Sequence, residues 1–283
     1  MIYQPSNYSI NCKGYLIDMS HPQVMGILNL TPDSFFDGGK FTEENTILER
    51  VRQLVTDGAK IIDIGGASSR PGATLVTESE EEARIIPAIE LITKHFPELI
   101  LSVDTWRSTI AEKAIRKGAH LINDISAGQF DNNMFETVAR LNVPYIMMHL
   151  QGDVTSMHQK FEYSNLIHEV IQYFQEKIVV LRKMGVKDII IDPGFGFSKN
   201  ISDNFLLLKN VSALQILEVP ILVGVSRKSM INKTLNISSA DALNGTSVLN
   251  SFALMNGANL LRVHDVKEAR ECVQLFQALM ESK

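Results

Sequence analysis

The stretch ILSVDTWRSTIAEKAIRKGAHLINDI, from Ile100 to Ile125, decides the fold. Ile100 to Val103 is a short apolar run that stops on Asp104, Ser108 to Lys117 has helical spacing, and Leu121 to Ile125 is a second apolar run carrying Asn123 and Asp124. Short apolar runs joined by a helical crossover form neighbouring parallel strands. Such strands are buried on both faces, so a carboxylate or amide at the strand end belongs to a site rather than to the core.

Working outward, six more runs repeat the unit. They are Val24 to Leu28 before Asn29, Ile61 to Ile64 before Gly65 and Gly66, and Tyr145 to Met148 before His149. Ile189 to Ile191 then precedes Asp192, Ile221 to Val225 precedes Ser226, Arg227 and Lys228, and Leu260 to Val263 precedes His264. Eight strands alternating with helices predict an α/β fold, a (β/α)8 TIM barrel with its chemistry on the face formed by the strand ends. Ahead of them, apolar alternation in Tyr8 to Ile10 and Tyr15 to Ile17 flanks Lys13 and Gly14, which predicts an N-terminal β-hairpin closing the barrel floor.

The chain has 283 residues, and an eight-stranded barrel takes roughly 250. This length predicts a single domain over residues 1–283, with the hairpin at about 8–18 and the barrel at about 24–281. A net charge of -5 argues against a general nucleic-acid or anionic-membrane binder, so any local basic cluster has a specific anion to meet. Cys12 and Cys272 lack metal-ligand spacing and form no disulfide framework. Met1 to Asn11 does not resemble a leader, and no run reaches the ~20 apolar residues of a membrane span. A reducing cytosol, and so a cytoplasmic protein, is the expectation.

Helix signals fill the gaps. Thr42 is expected to cap a helix with Ile47, Leu48, Val51, Leu54 and Val55 on one face, closed by Gly58. Ser79 with Glu82 reads as a capping box ahead of Ile85, Ile86, Ile89 and Ile92, with Pro87 near the helix start. Further helices are expected at Met134 to Ala139, Asn165 to Met184, Asn204 to Leu217, Ala240 to Met255 and Val266 to Met280.

Five loop strings carry the candidate chemistry. In MGILNLTPDSFFDGG, Met25 to Gly39, the amide of Asn29 precedes Thr31, Asp33 and Ser34, an oxygen set suited to Mg2+ bound with a phosphate; the competing reading is an Asx-type turn around Thr31 and Pro32. GGASSRPGA, Gly65 to Ala73, sets Arg70 among glycines that let a backbone approach an anion, or is a turn with a solvated arginine. DPGFGF, Asp192 to Phe197, offers two aromatic rings, of which Phe195 is expected to fold back on the rim. VGVSRKSM and LRVHDV, at the seventh and eighth strand ends, gather Arg227, Lys228, Arg262 and His264, where many barrels bind phosphate. Asp265 reads as a cap for the last helix.

Asp104, Asn123 and Asp192, from three strands, converge on the mouth and suit the paired N–H donors of an aminopyrimidinone, with Lys228 facing the opposite ring edge and neutralising Asp192. The competing reading is a network of structural salt bridges. His149 ends a strand and is weighed as a hydrogen-bonding group of the mouth, whereas His21, His95, His120, His158 and His168 read as solvent-facing.

Taken together, MGILNLTPDSFFDGG, IIDIGGASSRPGA, SVDTWR, INDI, DPGFGF, VGVSRKSM and RVHDVKEA resemble, in order, the motifs of the dihydropteroate synthase family, a group of pterin-binding TIM barrels in folate biosynthesis. That resemblance implies a homodimeric, Mg2+-using transferase and sulfonamide target. It would condense 6-hydroxymethyl-7,8-dihydropterin pyrophosphate with 4-aminobenzoate and release pyrophosphate through a dissociative step. It assigns Asn29 to Mg2+ and pyrophosphate, and Asp104, Asn123, Asp192, Lys228 and Arg262 to the pterin. Ser69, Arg70, Arg262 and His264 would grip pyrophosphate, and Ser69, Pro71, Phe197, Lys228 and Ser229 would form the aminobenzoate pocket. Arg70, Lys228, Arg262 and His264 would be catalytic. Ser69 stands where the family often has threonine, and Ala67 where it often has an acid. Leu243, Val248, Phe252, Leu254 and Leu275 are expected to supply the dimer interface. The rival is a methyltetrahydrofolate-binding barrel serving a cobalamin protein, which would not need the SRKS and RVHD cations. No covalent intermediate is expected, because no Ser/His/Asp or Cys/His arrangement stands in register.

Overall fold

A computed structural model describes residues 8–30, 40–67, 75–157 and 159–282. The chain enters through a hairpin, β1 (Ser9–Cys12) against β2 (Tyr15–Asp18), in antiparallel register with Cys12 opposite Tyr15. Its two-residue turn holds Lys13 at φ 53 and Gly14 at φ 98, the left-handed pair that matches strand twist, and the Asn11 side-chain oxygen accepts from Gly14 N–H at 2.7 Å.

Eight parallel strands follow: β3 (Gln23–Asn29), β4 (Ile61–Gly65), β5 (Ile100–Asp104), β6 (Leu121–Asp124), β7 (Tyr145–Met148), β8 (Ile189–Asp192), β9 (Leu222–Val223) and β10 (Leu260–Val263). They pair in the order β8-β7-β6-β5-β4-β3-β10-β9, and an Ile191–Ile221 bridge joins the two ends into a barrel. The Ile191 N–H donates to the Pro220 carbonyl at 3.0 Å across that seam.

Alternation along each strand sorts residues into an outer set under the helices and an inner set in layers. The bottom inner layer takes one residue from every strand, namely Met25, Ile61, Ile100, Leu121, Ile146, Ile190, Leu222 and Leu260. Ile10, Cys12, Ile17 and Met19 of the hairpin segment close onto it, so the expected floor is present. Polar residues can then be spared for the opposite end.

The helices depart from the sequence reading at their ends. The first, α1 (Lys40–Thr56), begins before Thr42, so Thr42 is not its cap. In α2 (Glu78–His95) the capping box belongs to Thr77 and Glu80 rather than Ser79 and Glu82, because Thr77 is the last residue with extended backbone, and Pro87 lies in mid-helix. After α3 (Ser108–Arg116), α4 (Met134–Leu141) and α5 (Leu166–Lys183), the segment expected from Asn204 to Leu217 splits into α6 (Ile201–Lys209) and a 3-10 turn, Val211–Leu217. A short α7 (Ser229–Leu235) was not foreseen; it precedes α8 (Leu243–Met255) and α9 (Val266–Glu281). His120 is a correction of another kind: it is buried near the floor, accepts from Leu101 N–H at 3.1 Å and packs edge-on to Tyr15. His158 lies outside the described residues.

Candidate functional site

Above the apolar floor, inward positions turn polar or lose their side chains. Asp63 of β4 stands on the inner face, fully buried, with Gly65 two residues on. A Cβ on Gly65 would lie 3.6 Å from the Asp104 carboxylate, and one on Gly224, just past β9, would lie 3.8 Å from Arg262 Cβ and 3.9 Å from Lys228 Nζ. Glycine at both positions keeps the mouth open between charged groups.

Arg262 of β10 is the hub of this layer. Its Nε donates to Asp63 Oδ2 and its Nη2 to Asp104 Oδ2, both at 2.6 Å. Asn123 of β6 donates its amide to the same Asp63 oxygen at 2.9 Å, which turns the Asn123 carbonyl oxygen away from Asp63 as an acceptor. Burial pushes the Asp104 carboxyl up to about 7 against the pull of Arg262, with Asp63, Asp124 and Asp192 adding to the rise. Burial likewise opposes the arginine's charge, yet Asp63 and Asp104 together hold the guanidinium protonated.

Asp192 ends β8 and accepts from Gly194 N–H at 2.8 Å, so the turn that follows fixes one of its oxygens. Burial raises its carboxyl and the Lys228 charge opposes that rise. Lys228 donates to the Phe195 carbonyl oxygen and stands 5.1 Å from the centre of the Phe197 ring. Its ammonium is pushed down to about 8 by burial, with Asp192 pulling the other way. Phe195, expected to fold back on the rim, is instead fully buried in the main core, while Phe197 packs with Met148, Leu150 and Met157.

Ser226 and His264 pair across β9 and β10. The Ser226 hydroxyl accepts from the His264 backbone N–H at 3.2 Å and lies 3.0 Å from its Nδ1. The hydroxyl thus meets both the backbone and the ring of His264, and this pair of contacts fixes the orientation of the imidazole. Arg227, expected in the cationic cluster, is turned out of it: at φ 55, its guanidinium makes a two-bonded pair with Asp265 and donates to the Ser239 and Ala240 carbonyls. That pairing also engages Asp265, whose side chain makes no capping bond to α9.

Of the residues singled out in the sequence, Asp104, Asn123 and Arg262 are joined through hydrogen bonds to one another or to Asp63, with Asp192 and Lys228 beside them. Asn29 ends β3 opposite Gly65, half-buried, and Ser229 opens α7 in an exposed position. Ser69, Arg70 and Pro71, and the Thr31 to Gly39 loop, lie outside the described residues. Sequence reasoning missed Asp63 and Ser226. Asp63 interrupts IIDI at an inward register, a charge inside an apolar strand, and that was the available signal. Asp124, by contrast, faces outward and is structural, accepting from Tyr145 Oη at 2.6 Å and from Ser126 N and Gly128 N.

Comparison with known proteins adds four likenesses. Residues 25–264 match the model of the family described as pterin binding enzyme. A dihydropteroate synthase of Escherichia coli is 40% identical over 273 residues, covering 96% of each chain. The Yersinia pestis dihydropteroate synthase with a sulfonamide drug complex superposes with a TM-score of 0.90 at 39% identity, covering 97% of this chain and 100% of that one. The Xanthomonas albilineans dihydropteroate synthase with 4-aminobenzoic acid gives a TM-score of 0.90 at 36% identity, over 98% and 100%.

Replacing Asp63 by Ala is expected to leave Arg262 facing Asp104 alone and to release the Asn123 amide, costing about 3–5 kcal/mol of stability as a broken buried ion pair. Urea denaturation checks this, and a loss below about 1 kcal/mol would mean that Asp63 is not the hub's counter-charge.

Proposed function

We infer the function of this chain from the family to which it belongs, that of the pterin binding enzymes: it is a dihydropteroate synthase, a transferase. It joins 6-hydroxymethyl-7,8-dihydropterin pyrophosphate to 4-aminobenzoate, giving 7,8-dihydropteroate and pyrophosphate. The observation that carries this reading is the convergence of Asp104, Asn123, Asp192, Lys228 and Arg262 on one barrel mouth, built on a fold shared with dihydropteroate synthases at 0.90 TM-score. The methyltetrahydrofolate-binding alternative is not favoured, since the full-length relatives are synthases.

In this reading the Asp192 and Asp104 carboxylates and the Asn123 carbonyl accept the ring and exocyclic N–H groups of the pterin, and Lys228 donates to its carbonyl edge. Departure of pyrophosphate leaves a methylene cation on an electron-rich dihydropterin, and the arylamine attacks it. His264, Arg262, Arg70 and Ser69 serve the leaving group as its charge grows, while Phe197, Pro71, Lys228, Ser69 and Ser229 bound the arylamine. Fixed donors aimed at developing charge lower the barrier without a protein nucleophile.

Asn29 is the residue we assign to Mg2+. Among the described residues no group of three or more His, Cys, Asp or Glu side chains could hold a metal, but a Mg2+ bound with pyrophosphate keeps several waters and needs only one or two protein oxygens, so a single strand-end amide fits. When bound, it would neutralise the leaving group's negative charge.

We further read the chain as one domain, because hairpin and barrel share the floor cluster, and as cytoplasmic, because Cys12 and Cys272 are free buried thiols. Among the described residues no helix is long and apolar enough to cross a membrane. A homodimer is supported by Val248 and Phe252 on α8 and Leu275 on α9, which are 46%, 57% and 74% exposed. Leu254, by contrast, is fully buried and Leu243 partly so; Leu254 belongs to the core rather than to an interface.

Sedimentation at micromolar concentration is expected to give a dimer that Phe252→Glu converts to monomer; a wild-type monomer would remove the interface. The reaction itself is tested by pyrophosphate release with both substrates and Mg2+, which should require each of them. Release from the pterin alone at the same rate would overturn the condensation. In the same assay a folded Asp192→Asn variant should lose about 2–4 kcal/mol of pterin binding, because one accepting oxygen becomes a clashing donor.

A further inference from the structure

Lys199 lies beneath the Asp192 to Phe197 turn with only 6% of its surface exposed. Its ammonium is held by three neutral acceptors: His149 Nδ1 at 2.9 Å, the Gly194 carbonyl at 3.2 Å and the Phe197 carbonyl at 3.3 Å. Three N–H groups meet three acceptors, and no carboxylate is among them. Buried lysines ordinarily pair with an acid, so this one is spent on backbone geometry. Burial pushes it down to about 7, with Asp192 and Asp203 opposing the fall and Lys228 adding to it.

The turn's N–H groups are bonded at Gly194 to Asp192, at Gly196 to the Asn204 side chain and at Ser198 to the Met157 carbonyl, whereas its Gly194 and Phe197 carbonyls are the ones Lys199 gathers. Gly194, Gly196 and Ser198 alternate at φ 75, 83 and 51, and the last is a left-handed conformation without a glycine. The turn is pressed onto the end of β7: a Cβ on Gly194 would sit 2.0 Å from the His149 carbonyl oxygen, and His149 N–H donates to the Asp192 carbonyl at 2.9 Å. His149 completes the anchor. Its ring packs among Tyr163, Tyr173 and Phe174, and burial with the Lys199 charge holds its pKa well below the usual value, so Nδ1 stays an acceptor.

We propose that Lys199 is a positioning residue which, by spanning Gly194 and Phe197 on the β8 turn and His149 at the end of β7, holds Phe197 where the arylamine docks. It touches neither substrate. The inference rests on the reading of Phe197 as a wall of the aminobenzoate pocket. It also gives His149 a role distinct from a ligand of the mouth.

Lys199→Met keeps the stem and removes the donors. His149→Leu removes the acceptor, and His149→Asn restores one near the Nδ1 position. In pyrophosphate-release kinetics, Lys199→Met and His149→Leu should each raise KM for 4-aminobenzoate about tenfold, the value of one such bond, with a smaller change in kcat. His149→Asn should stay near wild type, and the Lys199→Met/His149→Leu double variant should be no worse than Lys199→Met alone. Amide hydrogen exchange at Gly196, Phe197 and Ser198 should quicken in Lys199→Met and His149→Leu but not in His149→Asn, and this reads the anchor without any activity. A folded Lys199→Met with wild-type KM and unchanged exchange would overturn the proposal. So would equal exchange in the two His149 variants, which decides the matter even if Lys199→Met fails to fold. A wild-type protein that releases no pyrophosphate would instead sink the functional reading, leaving the exchange result to judge the anchor.

Discussion

The mouth of this barrel depends on one guanidinium. Arg262 reaches across the lumen from β10 to Asp63 on β4 and Asp104 on β5, two carboxylates that could not be buried side by side without a counter-charge. Through Asp63 it also governs Asn123, whose amide donates to the same oxygen and whose carbonyl is thereby oriented. The proposed pterin edge asks for acceptors at fixed places, and in that role this pair of ion contacts sets where they stand. The cost of assembling so many charges is offset at the opposite end, where a layer of eight strand side chains and the hairpin segment form an apolar floor.

Much of this was legible in the sequence because barrel periodicity and strand-end chemistry are written locally. The eight runs became the eight strands, and Asp104, Asn123, Asp192 and Arg262 share a mouth because strand ends of a closed parallel sheet have nowhere else to converge. What escaped the reading depends on contacts between distant segments. Asp63 was hidden inside an apolar run, and only the inward register that pairs it with Ser102 and brings it to Arg262 reveals its role. Arg227 and Lys228 are adjacent in sequence yet diverge, since a left-handed backbone at Arg227 sends its side chain to Asp265. Helix starts shifted by a residue or two for a similar reason: several polar residues near Thr77 could cap α2, and backbone geometry selected one.

The cationic side of the site is organised by neutral partners as much as by acids. Lys228 rests on the Phe195 carbonyl, Lys199 on two carbonyls and an imidazole, and His264 on a serine hydroxyl. Lys228, held by a carbonyl, keeps its charge at the mouth, whereas Arg227, paired with Asp265, is drawn out of it. The division explains how an acidic protein keeps a cationic corner beside a carboxylate-lined one.

In the proposed pterin-binding role Asp104, whose carboxyl burial holds up near neutrality, is ionised when a pterin sits on it. Burial pushes its free carboxyl up to about 7 against the pull of Arg262, so the protonated form gains weight as pH falls below neutrality, and accepting ligand N–H groups expels that proton. Calorimetric titration with a pterin lacking phosphate, repeated in two buffers of different ionisation enthalpy, counts the protons. Net proton release is expected from the wild-type protein at about pH 6 and is expected to disappear in Asp104→Asn. Equal proton release by both proteins, or uptake by the wild type, would contradict it.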